Sequence, residues 1–153
     1  EMKFVEQYLK LQNLRFKDRL HVLINIPEDY LFIPVPSLVL QSVINYVVQY
    51  GIESKAGNAT ITITGYFSGN DFVLEVANNR IGLSNEEVMG ISNENSNQVQ
   101  EGKPTGITLH YINSILVSSY GKDYKLAIKQ NMEGGTTIKI RIPKDWRERP
   151  HRV

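Results

Sequence analysis

Cysteine is absent from the chain. Disulfides, cysteine-ligated zinc and thiol catalysis are thereby excluded, and a reducing compartment is compatible with the composition. An excess of one charge is lacking too. With 17 Lys and Arg against 16 Asp and Glu, no global field attracts nucleic acid or an acidic membrane surface, and no nucleic-acid partner is expected. Only the end, "WRERPHRV", leans basic, and it reads as a flexible, solvated tail over 147–153. No apolar run is long enough to span a bilayer: the greasiest stretch, "LFIPVPSLVLQSVINYVV", is interrupted by Pro34, Pro36, Gln41 and Asn45. No basic and apolar leader opens the chain either. It starts at Glu1-Met2 inside a helical pattern, which reads as a segment cut from a longer protein. The three histidines, His21, His110 and His151, lack metal-ligand spacing, so no metal site is assigned to them.

What is present is an ordinary globular composition. At 153 residues, 41% hydrophobic and 22% charged, the chain is long enough to bury a core as one domain. Apolar and aromatic residues at Phe4, Val5, Tyr8, Leu9, Leu11, Leu14 and Phe16 alternate spacings of three and four, which predicts an amphipathic helix fraying near Phe16. "LHVLINI" is rich in β-branched residues and reads as a strand stopped by Pro27. Ser37 is the expected N-cap of a second helix, "LQSVINYVVQYGI", with a buried stripe of Leu40, Val43, Ile44, Val47 and Val48 and an end at Gly51. Its polar stripe carries Gln41, Asn45, Tyr46, Gln49 and Tyr50, none of which is a carboxylate.

"ATITITGYF" and "DFVLEVA" alternate with the two-residue period of half-buried strands around the turn "SGN", and "YKLAIKQ" and "TTIKIRI" do so around "NMEGG". Between these hairpins lies a helix over about Ile107 to Tyr120, burying Ile107, Leu109, Ile112, Ile115, Leu116 and Val117 and ending at Gly121. It is preceded by the polar stretch "SNEEVMGISNENSNQVQEGKPTG", in which Ser84 and Glu87 form a capping-box pattern. A stretch of that length reads either as a lid over a ligand or as a floppy insertion. Two hairpins with helices held to one side predict an α+β two-layer sandwich on a mostly antiparallel sheet.

Three polar boxes fall in order: the helix with Asn45 and Tyr46, the turn "VANNRIG" and the helix start "TGITLHYIN". Together with the lead-in "YL-LQ--RF-DRL" and the closing "GGTTIKIRIP", the chain resembles the C-terminal ATP-binding domain of LytS-like sensor histidine kinases, whose fold is shared with gyrase, Hsp90 and MutL. The resemblance implies this histidine-kinase ATPase (Bergerat) fold over 21–146. Residues 1–20 would be the end of a helical linker from a dimerisation domain. It also implies ATP and magnesium as cofactors, a homodimer through upstream helices, a response regulator as partner, and a cytoplasmic position in a membrane-anchored protein.

The same resemblance locates the substitutions. Where the family reads LQPLVENAIKHGI, its glutamate and magnesium-holding asparagine are here Asn45 and Tyr46, and Gln49 stands further along the same wall. An amide cannot serve as a general base, and a phenol is a poor ligand for a cation that favours compact octahedral oxygens. In the DNGxG box, Asn78 replaces the adenine-binding aspartate, Arg80 replaces a glycine and Gly82 is retained. The neutral acceptor at Asn78 costs about 1 kcal/mol, roughly fivefold in affinity. Arg80 either crowds the phosphates or swings out to meet one. In GxGLxN, Gly106 persists while Thr108 and Tyr111 replace glycine and asparagine, which narrows access to the helix N-terminus. No catalytic residue and no metal ligand is assigned. None of the histidines matches the context of a phosphoacceptor.

Two functions follow. The chain is either the catalytic domain of a sensor kinase or a signalling module that keeps the fold with Mg-ATP binding and phosphotransfer impaired. The substituted positions favour the second. The gyrase, MutL and Hsp90 ATPases share the fold but lack the lead-in.

Overall fold

A computed structural model describes residues 1–49, 57–79, 105–132 and 134–145; for 105–108 only the backbone is described. Helix α1 spans Met2–Phe16 and runs into a 3-10 turn over Lys17–Arg19. Strand β1 follows over Leu20–Asn25, then helix α2 over Val39–Val48. The first hairpin is β2, Ala59–Ser68, and β3, Asp71–Asn78, and helix α3 covers Thr105–Tyr120. The closing hairpin pairs β4, Ala127–Gln130, with β5, Thr136–Pro143.

Among the described residues five strands lie in the order β1-β2-β3-β5-β4. Only β1 and β2 are parallel; the other three pairs are antiparallel. One face of the sheet is buried: Ile61 and Ile63 of β2, Phe72, Leu74 and Val76 of β3, and Ile138, Ile140 and Ile142 of β5. Of the residues between them, Thr62, Glu75, Ala77, Lys139 and Arg141 are partly solvated, while Val73 is buried. That two-residue alternation keeps the helices on one face and makes the molecule the two-layer α+β sandwich expected.

Helix α2 packs on β3, α1 and α3 together. Contact on three sides widens its buried arc beyond the expected stripe. Tyr46, read from the sequence as part of the polar stripe, is 2% exposed and belongs to the core with Val43 and Val47. From α1 the core takes Val5 and Leu9. In α3 the described buried side chains are Leu109, Ile112, Asn113 and Leu116, while Ile115 and Val117, expected to be buried, are half-buried; Gly121 ends the helix at φ 104, a conformation that suits glycine.

Two local expectations are corrected. Ser37 is not the cap of α2: Leu38 holds the N-cap position at φ 68, and no cap-residue side chain bonds the helix. The backbone N–H groups of Leu38 and Leu40 donate instead to the Glu1 carboxylate, the latter at 3.1 Å. The strand expected from Tyr124 begins only at Ala127, because the Leu126 amide donates to Asn113 Oδ1 at 2.9 Å and not to a ladder. Expectations for Gly51, for Ser84 with Glu87, for the stretch 84–104 and for the tail 147–153 lie outside the described residues.

Candidate functional site

The candidate residues stand on α2, which packs against α1, α3 and β3, and at the C-terminal end of β3. Asn45, in the middle of α2, is half-buried, and its Oδ1 accepts a hydrogen bond from Tyr8 Oη of α1 at 2.8 Å. One turn further, Gln49 is exposed. Between them Tyr46 turns into the core. The helix therefore presents an amide already engaged by α1, a phenol buried in the core and an exposed glutamine.

Asn78 is the last residue of β3. Strand alternation continues the inward row of Phe72, Leu74 and Val76 to it, leaving it 4% exposed. Across the ladder it faces Thr136, which is 1% exposed. Gly135, just before Thr136, adopts φ 94, and a Cβ there would run into the Asn78 carbonyl oxygen and lie 2.9 Å from Asn79 Cα. Glycine is thus required both by the dihedral and by the close passage of two backbones. Asn79 is occupied locally, its Oδ1 accepting from the Thr60 amide at 2.9 Å. A cleft of about 630 Å³ opens beside this end of the sheet, lined in part by Thr60, Thr62, Ala77, Asn78 and Asn131.

Of the remaining residues singled out in the sequence, Tyr111 is 64% exposed on α3. Gly106 and Thr108 lie in the first turn of that helix, their side-chain positions outside the described set, and Arg80 and Gly82 are outside it altogether. Three features were not singled out by sequence reasoning. Tyr8 and Thr136 were read only as helix and strand positions, and Gly135 only as part of a turn. No periodicity signal distinguishes them, because each acquires its role from a partner at least 37 residues away or across a ladder.

Among the described residues, Asn45 and Tyr46 offer a magnesium ion no anionic oxygen. Magnesium demands hard oxygen ligands in near-octahedral geometry, usually carboxylates with water and phosphate. Here the acceptors at the corresponding positions are neutral, one is bonded to Tyr8 and one is sealed in the core. Among the described residues no group of three or more His, Asp or Glu side chains converges on one point.

A family model described as histidine kinase-, DNA gyrase B- and HSP90-like ATPase matches residues 36–145. The sensor protein LytS of Oceanobacillus iheyensis is 27% identical over 143 residues, 94% of this chain and 24% of that protein. The sensor protein kinase HptS of Staphylococcus aureus is 26% identical over 143 residues, 94% of this chain and 27% of its own. The chain thus spans about a quarter of the length of these curated relatives. In solved structures, the catalytic domain of histidine kinase ThkA superposes with a TM-score of 0.70 at 17% identity, covering 96% of this chain and 92% of that one. The mycobacterial sensor histidine kinase MprB does so at 0.62 and 12%, covering 93% of each. These likenesses show a shared fold, and the match to residues 36–145 takes in α2, α3 and four of the five strands, so that the chain belongs to the histidine kinase-, DNA gyrase B- and HSP90-like ATPase family.

Proposed function

We propose that this domain is the ATP-binding-type module of a two-component sensor histidine kinase in which Mg-ATP binding and phosphotransfer are impaired, and that it signals through its fold and its docking to other parts of the protein. The family and its sensor-kinase relatives support the first half of the reading. One observation carries the second: on α2, the positions of the family's acid and magnesium amide are taken by Asn45, whose acceptor oxygen is held by Tyr8, and by Tyr46, which is buried. Phosphoryl transfer depends on positioned metal and electrostatic stabilisation, and neither residue supplies them.

In this reading α1 is the end of a linker from upstream dimerisation helices, the assembled protein is a membrane-anchored homodimer with this domain on the cytoplasmic side, and a response regulator acts downstream. Val5 and Leu9 in the common core, together with the Tyr8–Asn45 bond, support a firm connection from that linker to α2. The degenerate nucleotide wall comprises Asn45, Tyr46, Gln49, Asn78, Arg80, Gly82, Gly106, Thr108 and Tyr111.

Thermal unfolding with and without Mg-ATP tests it. A ligand at 100 times its dissociation constant stabilises by about 2.7 kcal/mol, which for a domain of this size raises Tm by at least about 5 °C. No shift at millimolar nucleotide is expected. A shift of that size would show that Mg-ATP binds and would favour the alternative, an active kinase domain transferring the γ-phosphoryl group to an upstream histidine.

A further inference from the structure

At the C-terminal end of β3 the buried polar groups are of one kind. Asn78 closes the inward row at 4% exposure, and its ladder partner Thr136 is 1% exposed. Each of these side chains both donates and accepts, the amide through two separate atoms and the hydroxyl through one. The cleft of about 630 Å³ that opens beside them has the size of a small-molecule site, and its described lining carries no charged side chain. A neutral, planar hydrogen-bonding edge suits such a wall better than an ion does.

The polarity of that wall is not fixed. The backbone of Asn78 is held by its pairing with Thr136 and by the close passage of Gly135, whereas the terminal torsion of an asparagine is broad and roughly two-fold. In one orientation Oδ1 accepts from a 6-amino group while Nδ2 donates to purine N1. Turned over, Nδ2 donates to a 6-oxo group while Oδ1 accepts from N1–H. Both arrangements make two hydrogen bonds. A carboxylate at this position would only accept, so a 6-oxo edge would set lone pair against lone pair where little water separates them. The amide thus gives up affinity for one base together with the means of rejecting the other.

We propose that Asn78 makes the nucleotide-type wall indifferent to the purine edge, so that the 6-oxopurines hypoxanthine and guanine bind there as well as adenine. The inference rests on the reading of this wall as nucleotide-type. It is independent of magnesium, because Asn45 and Tyr46 stand on α2 and Asn78 on β3.

Adenosine and inosine test it, since they differ only along the 6-position edge and carry no phosphate. Titrated without magnesium into the isotope-labelled 153-residue chain, both should shift the amide resonances of Asn78 and Thr136 at millimolar concentration. Their dissociation constants should agree within about threefold. Asn78→Asp should move that ratio at least about tenfold toward adenosine, the discrimination of one bidentate pair. Because a buried carboxylate can also unsettle the fold, Asn78→Leu is measured beside it; that change removes both hydrogen-bonding atoms and should weaken the two nucleosides by the same factor. A parent chain that prefers either nucleoside tenfold or more would overturn the proposal. So would a folded Asn78→Asp chain with the parent's ratio, or the lack of any shift at Asn78 and Thr136 with both nucleosides. Failure of the functional reading is a different result, a rise in Tm with Mg-ATP, which a titration without magnesium does not register.

Discussion

Tyr8 Oη donates to Asn45 Oδ1 across 2.8 Å, joining positions 37 residues apart and tying α1 to α2. The bond is half-buried, and α1 is anchored on both sides of it by Val5 and Leu9. Replacing Tyr8 by Phe removes the donor and little volume. The expected loss is about 1 kcal/mol, seen as a Tm lower by about 2–4 °C. A cycle with Asn45→Leu should show the two losses to be non-additive. Additive losses would mean that the two groups do not meet in solution.

Restoring the family's residues addresses the wall itself. Tyr46→Asn alone trades a core aromatic for a smaller amide and should cost about 3 kcal/mol or more, read from urea midpoints. In the double change Asn45→Glu with Tyr46→Asn, the pocket regains a carboxylate and a small amide. Titration calorimetry on the folded variant should then find Mg-ATP affinity raised several-fold over the parent chain. Equal affinity in the two would place the obstruction elsewhere.

Gly135 carries a backbone requirement. Alanine there meets both a strained φ of 94 and the Asn78 carbonyl. Destabilisation beyond about 1 kcal/mol is expected, since the native conformation is incompatible with a side chain. Hydrogen exchange should locate the damage to the amides around Asn78 and Thr136, which pair at this end of the ladder. Protection unchanged there would contradict the close passage of the two strands.

On the solvated face, Glu75 receives Lys139 Nζ at 2.7 Å and the Tyr66 hydroxyl at 2.7 Å. Burial alone would raise its carboxyl, but the hydrogen bonds from Lys139 and Tyr66 outweigh that and hold it below the ordinary glutamate value of 4.5. A carboxyl depressed in the folded state contributes stability that is fully present above the unfolded value and is lost as pH falls through the folded one. Glu75→Gln should therefore lower stability at neutral pH and flatten its decline below about pH 4.5. A variant whose acid limb matches the parent would remove Glu75 from the account. The same carboxylate holds the Tyr66 phenol above its usual range, chiefly through their hydrogen bond.

How much of this was readable in the residues depends on the range of the interaction. Both hairpins were legible, because strand alternation and a short turn between strands are local: Ser68 and Asp71 close the first around Gly69 and Asn70 as "SGN" suggested. The helices were legible for the same reason, and Gly121 ends α3 where expected. The order of boxes along the chain was likewise enough to indicate the family to which residues 36–145 match.

The amino-acid sequence by itself determined the element types, the one-sided placement of the helices and the absence of carboxylates from the α2 wall, since each depends on residue identity and short-range periodicity. Tertiary structure alone decided that Tyr46 turns inward, that Glu1 and not Ser37 caps α2, that Tyr8 holds Asn45, and that β1 runs parallel to β2. Those outcomes depend on which distant surfaces meet. A helix covered on three sides buries a phenol that its own periodicity would leave in water, and no local pattern encodes how many neighbours a helix will have.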